Sequence, residues 1–132
     1  MRHVLEHIPN LLECLEQLKS LLKENGKLII AVPNFKSYDA EYYKEFWAAY
    51  DVPRHLWHSS QKSIQNLFES VQMNVTQVHP MKYDSFYVSL LSEKHKTGKN
   101  NYLKAFWVGW KSNRKASKTS EYSSLIYELE HA

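Results

Sequence analysis

Gly26-Lys27-Leu28-Ile29-Ile30-Ala31-Val32-Pro33-Asn34 is a short apolar run rich in β-branched residues, led in by glycine and closed by proline. Such a run reads as a strand buried on both faces. The segment before it, Pro9 to Glu24, carries Leu11, Cys14, Leu15, Leu18, Leu21 and Leu22 at helical spacing, with Glu13, Glu16, Gln17, Lys19, Lys23 and Glu24 on the other side. Pro9 suits the first turn of this helix, and Asn25-Gly26 supplies residue types that end helices in the left-handed region. Helix and strand together form one αβ unit of a parallel-type sheet. Loops at the carboxyl ends of such strands carry the chemistry, which directs attention to Pro33-Asn34 and beyond.

The chain has 132 residues, 43% of them hydrophobic and 14% aromatic, enough for one domain with a core and too apolar for disorder. A formal net charge of +3, with lysine-rich stretches beside glutamate-rich ones, does not argue for nucleic acid. The single cysteine, Cys14, cannot form an internal disulfide and suits a cytoplasmic setting. No apolar run approaches the ~20 residues of a bilayer span, and no signal-peptide pattern opens the chain.

Beyond Asn34, Tyr42, Tyr43, Phe46, Trp47 and Tyr50 fit a short helix within 39–50, closed by Pro53. Ile64, Leu67, Phe68 and Val71 mark a serine-capped helix from Ser60, and Asn74 to Val78 is a candidate strand. Tyr83 to Leu91 is apolar but ambiguous between helix and strand, and Lys94 to Asn101 reads as an exposed loop. Tyr102, Leu103, Phe106, Trp107 and Trp110 mark an aromatic helix that gives way to a polar tract at Lys111, and Ser123 to Leu129 forms the last strand. Aromatic residues at this spacing are read as packing in preference to a base-stacking or membrane-interface surface. The basic tract Lys111, Arg114, Lys115 and Lys118 reads as a solvated helix end.

Two clusters carry chemistry. His3-Val4-Leu5-Glu6-His7 matches H-x-x-E-H, a zinc-hydrolase pattern, but that pattern needs a long helix through it and Pro9 interrupts. No metal site is therefore expected. Pro53-Arg54-His55-Leu56-Trp57-His58 lies in the loop after the central strand, where either imidazole can serve as acid or base and the guanidinium can hold a carboxylate or phosphate. The competing reading is that these side chains pin a long loop through backbone carbonyls.

Taken in order, His3 to Pro9, the leucine-rich helix, Gly26 to Asn34 and Pro53 to Leu56 resemble the C-terminal half of a class I S-adenosylmethionine-dependent methyltransferase. The resemblance implies an α/β fold containing the last strands of a seven-stranded Rossmann-like sheet with helical lid insertions. It makes residues 1–132 a single truncated domain, with a lid or substrate-side insertion over 35–59 and a second helical insertion over 83–120. By the same resemblance His3, Glu6 and His7 border the cofactor's sulfonium end, and Asn34, Arg54, His55 and His58 line the substrate side. His55 or His58 is then the catalytic base for methyl transfer to a small-molecule, lipid or sugar acceptor.

The family's glycine-rich cofactor loop is missing, since Gly26, Gly98 and Gly109 are the only glycines. The chain alone is thus expected to bind S-adenosylmethionine weakly or not at all. Met1 falls where the fourth strand should end, as an internal methionine of a longer reading frame would. The exposed edge of the central strand is expected to pair within a homo-oligomer or with a separate N-terminal half. The rival expectation is a non-catalytic interaction or regulatory remnant.

Overall fold

The computed structural model describes all 132 residues. Its elements are α1 (Leu11–Leu21), β1 (Leu28–Pro33), α2 (Tyr38–Tyr43), α3 (Gln61–Ser70), β2 (Met73–Pro80), α4 (Asp84–Thr97), α5 (Tyr102–Thr119) and β3 (Ser124–His131), with single 3₁₀ turns at Leu5–His7, Lys44–Phe46 and Ala48–Tyr50. The sheet has the order β1-β3-β2, and β3 runs antiparallel to both neighbours. β1 and β2 therefore share one direction, and the last strand is inserted between them. The expected parallel-type partner of β1 is reduced to Met1–His3, where Ala31 N–H donates to Met1 O at 2.8 Å and His3 N–H donates to Ala31 O at 2.9 Å.

One core lies between this sheet and the helices α1 and α3. Leu15, Ile30, Ile64, Phe68, Met73, Leu125, Tyr127 and Leu129 are buried there. Ile30 and Val32 point into it; on the opposite face Ala31 is buried but Ile29 is 51% exposed, so the strand is covered on both faces only toward its carboxyl end. A second core joins α2 and the following turns to α4 and α5 through Ala40, Tyr43, Trp47, Ala49, Val88 and Val108. The segments 35–59 and 83–120, far apart in sequence, thus pack on each other.

Several boundaries differ from the sequence expectation for local reasons. α1 ends at Leu21 because Leu22 turns extended, and neither Asn25 nor Gly26 adopts a positive φ. Gly26 is instead required by crowding, since a Cβ there would lie 3.0 Å from both Leu22 side-chain carbons and Lys23 O. The helix expected over 39–50 is one short helix followed by two 3₁₀ turns. Tyr83 to Leu91 resolves as helix, and α4 continues through Lys94 to Thr97, where Gly98 caps it at φ 73°. α5 runs on through the polar tract to Thr119, because Ser112 and Ala116 extend its buried stripe. Ser60 caps α3 as expected, in a reciprocal pair with Ser63. No helix is long and apolar enough to cross a membrane.

The two cores meet at Asp39, whose carboxylate is fully buried. It accepts hydrogen bonds at 2.7 Å each from Trp47 Nε1, Ser112 Oγ and Ser123 Oγ. Removing the acceptor strands three buried donors from three segments. Asp39→Ala is expected to cost about 3–5 kcal/mol in urea unfolding, and Asp39→Asn less, because one oxygen acceptor survives. Equal unfolding midpoints for parent and Asp39→Ala would refute this role.

Candidate functional site

A cavity of about 200 Å³ opens at the carboxyl end of β1, between the N-terminal segment, the Ala48–Tyr50 turn and α4. Pro33, Ala49, Val88 and Leu91 give it apolar wall, while His3, Asp51, His55 and Asp84 bring titratable groups to it. The placement follows from the strand order, because the segments that leave β1 and β2 diverge at this end of the sheet.

His55 is held from behind. Its Nδ1–H donates to Ala49 O at 2.8 Å, which fixes the neutral ring as the tautomer with a free Nε2. That Nε2 lies 3.8 Å from a Glu6 oxygen and 3.8 Å from an Asp51 oxygen. The backbone joins the same strands of the site, since Leu56 N–H donates to Glu6 O at 2.7 Å. His7 stands edge-on to His55 with ring centres 4.7 Å apart, and its Nδ1–H donates to Arg54 O at 2.9 Å. One ligand-type atom from each of Glu6, His7 and His55 lies within 4.8 Å of the others. This is not the helical H-x-x-E-H arrangement, because residues 5–7 make a single 3₁₀ turn and the His3 ring is paired with Glu6 and Asp84.

His3 adopts φ 49° and sits between two carboxylates, with Nε2 3.2 Å from Asp84 and Nδ1 3.4 Å from Glu6. Hydrogen bonding to Asp84 and then Glu6 pushes its pKa up to about 9, against the opposing effect of burial. Burial alone would raise the Glu6 and Asp84 carboxyls, but the adjoining His3 imidazolium outweighs it and holds both below their ordinary values. Glu6 is 2% exposed and has the His3 ring 3.4 Å from its carboxylate, so it depends on this neighbouring charge for its ionised form.

The remaining residues singled out by sequence are dispersed. Arg54 is exposed and donates through Nε and a terminal nitrogen to Asp51 Oδ1, which places it at the rim. Asn34 is buried outside the cavity wall; its amide donates to Glu121 at 2.6 Å and Tyr122 O at 3.1 Å, and its Oδ1 accepts from Lys36 N–H. His58 packs edge-on to Tyr50 and lines a neighbouring crevice, and burial lowers its pKa. Asp84 and Asp51 are the residues that sequence reasoning missed. Asp51, four residues before His55 and three before Arg54, offered a local signal, whereas Asp84 is 81 residues from His3 and offered none.

A family described as a methyltransferase domain matches residues 1–78. No curated protein sequence matches the chain significantly. Among solved structures, phosphoethanolamine N-methyltransferase 2 from Haemonchus contortus in complex with S-adenosyl-L-methionine superposes with TM-score 0.52 and 14% identity over 98% of this chain and 32% of that one. The same enzyme with phosphomonomethylethanolamine and S-adenosylhomocysteine gives 0.49 and 12%, again over 98% and 32%. The YcgJ protein of Bacillus subtilis gives 0.46 and 15%, over 99% of this chain and 62% of that one. The first likeness is one of fold, and the chain spans about a third of the length of that enzyme.

The His3 ion cluster has a defined pH signature. A histidine raised from 6.5 to about 9 on folding contributes stability that is complete below pH 6.5 and lost as pH rises through about 9. Allowing for screening of this partly exposed pair, unfolding free energy should fall by about 1–2 kcal/mol across that window. His3→Gln should flatten the fall in urea titrations at successive pH values, and an unchanged slope in that variant would contradict the assignment.

Proposed function

Because the chain belongs to the methyltransferase-domain family through residues 1–78, we propose that it is the C-terminal part of an S-adenosylmethionine-dependent methyltransferase acting on a small-molecule, lipid or sugar acceptor, with His55 as the proton acceptor. The observation that carries this reading is the His55 ring in the cavity wall, tied to Ala49 O through Nδ1 and flanked at Nε2 by Glu6 and Asp51. When bound, S-adenosylmethionine supplies a methyl group carried on a sulfonium. As the acceptor's oxygen or nitrogen bonded to that carbon, the carbon–sulfur bond would break to leave a neutral thioether, and the acceptor would release a proton. His55 Nε2 takes this proton, with a Glu6 and an Asp51 oxygen each 3.8 Å away. The apolar wall restricts the acceptor's approach, so that positioning supplies much of the rate.

The residues fit the charged end of such a cofactor. Glu6 brings a buried carboxylate, the group suited to a sulfonium, to a border it forms with His7 and with the His3 imidazolium that balances part of its charge. They do not fit the rest of it. A cavity of about 200 Å³ is smaller than the ~300–1,000 Å³ usual for ligand sites, and no glycine-rich loop is present to approach a nucleotide. In this proposal the nucleoside is held by an N-terminal half or a second copy that pairs along the β1 edge, which only the short Met1–His3 segment covers. Segments 35–59 and 83–120 together serve as the lid. Arg54, freed from Asp51, meets an anionic group on the acceptor, Asn34 anchors the loop that leaves β1, and His58 supports His55 from the neighbouring crevice. Ile29, exposed on the outer face of β1, also favours a second reading, a non-catalytic subunit that uses this strand only to assemble. A cytoplasmic setting, consistent with the free Cys14, completes the proposal.

Calorimetric titration with S-adenosylmethionine and S-adenosylhomocysteine, alongside mass in solution, separates these readings. The isolated monomer is expected to bind weaker than about 1 mM, with micromolar affinity appearing only in an assembly. Micromolar binding by the monomer would overturn the need for a second half. In the assembled enzyme, His55→Gln should lower kcat about 100-fold with little change in KM. Full turnover in that variant would remove His55 as the base, and an assembly that binds no cofactor would favour the non-catalytic reading.

A further inference from the structure

α5 packs with its bulk reversed. The stripe it buries against α2 and α4 consists of Ala105, Val108, Gly109, Ser112 and Ala116, all small apart from one valine. Gly109 marks how close the approach is, since a Cβ there would lie 2.8 Å from the Phe86 ring and 3.0 Å from its backbone. The large apolar side chains face the other way. Leu103 is 87% exposed, Phe106 64%, and Trp107 and Trp110 45% each. At i, i+3, i+4 and i+7 these four residues form one continuous outward stripe.

The adjoining sector of the same helix is basic. Lys104, Lys111, Arg114, Lys115 and Lys118 lie on it, and from Lys94 to Ser120 there is no acidic residue at all. Lys111 stacks on Trp107 at 4.6 Å and Arg114 on Trp110 at 5.2 Å, around an open depression of about 330 Å³. A second copy of this surface would repel it through like charge. A helix that presents leucine, phenylalanine and tryptophan beside a lysine- and arginine-rich flank has the composition of one that lies in a membrane interface, with its rings at headgroup depth and its cations on lipid phosphates.

We propose that the outward face of α5 docks the protein peripherally on an anionic lipid surface, with Leu103, Phe106, Trp107 and Trp110 entering the interface and Lys111, Arg114, Lys115 and Lys118 engaging phosphate headgroups. This rests on the exposed face alone and stands whether or not the chain transfers methyl groups. The sequence reading, which assigned these aromatics to packing, missed it because the stripe that does pack is built of residues too small to register in an apolar pattern.

The test is co-sedimentation of the full 132-residue chain with phosphatidylcholine vesicles and with vesicles containing about one third phosphatidylglycerol. Partition into the anionic vesicles should be about tenfold or more higher and should fall as salt is raised. Trp107→Ala/Trp110→Ala and, separately, Lys111→Gln/Arg114→Gln/Lys115→Gln should each lose about tenfold or more of that partition while keeping the parent's circular dichroism, because these side chains face solvent. Equal partition into both vesicle types would overturn the proposal, as would parental partition by both variants. So would a parent oligomer that the tryptophan variant dissociates, since the face would then be a contact between copies.

Discussion

A single buried carboxylate holds the two halves of this structure in register. Asp39 accepts from Trp47 between the two 3₁₀ turns, Ser112 on α5 and Ser123 at the start of β3, so one carboxylate ties both helical segments to the sheet. An ionised group stripped of water needs such a shell, because nothing else offsets the lost hydration. The geometry it imposes is specific. Trp47 fixes the turns that carry Ala49 and Asp51, and these in turn orient the His55 ring.

The cavity owes its position to the inserted strand. With β3 antiparallel between β1 and β2, the ends of the outer strands and the beginning of the middle one converge, and Pro33, Ser124 and Asp84 come to one place. The N-terminal segment enters the same place by bonding to Ala31, which brings His3 against Asp84 of α4 with Glu6 on its other side. His3 then keeps two neighbouring carboxylates ionised in a half-buried site. Without an imidazolium there, burial would drive Glu6 and Asp84 toward their neutral forms, and the acidic character of the wall would weaken.

What the sequence disclosed follows the strength of its local signals. β1, α1 and α3 are legible as an unbroken β-branched run and as large apolar residues at helical spacing, and Ser60 announces its helix by its own chemistry. The mixed α/β fold agrees with the family resemblance. α4 was ambiguous because Ser85, Ser89, Ser92 and Glu93 occupy its buried face, where polarity hides the helical period. α5 was cut short because its buried stripe is made of small residues. At the site, the pairing of Glu6 with His55 was within reach of motif reading, since both belong to recognisable strings. The His3–Asp84 contact depends on the fold of the whole chain and leaves no local trace.

The bond from His55 Nδ1–H to Ala49 O leaves the Nε2 lone pair of the neutral ring free. Nitrogen-detected NMR of the histidine rings reads this directly in the ligand-free chain. The account predicts that neutral His55 carries its proton on Nδ1, with a donor's shift there and an acceptor's at Nε2, and that Asp39→Asn weakens this preference by loosening the Trp47 turns. A neutral His55 protonated at Nε2 would contradict it, because the nitrogen facing the cavity would then have no lone pair to offer.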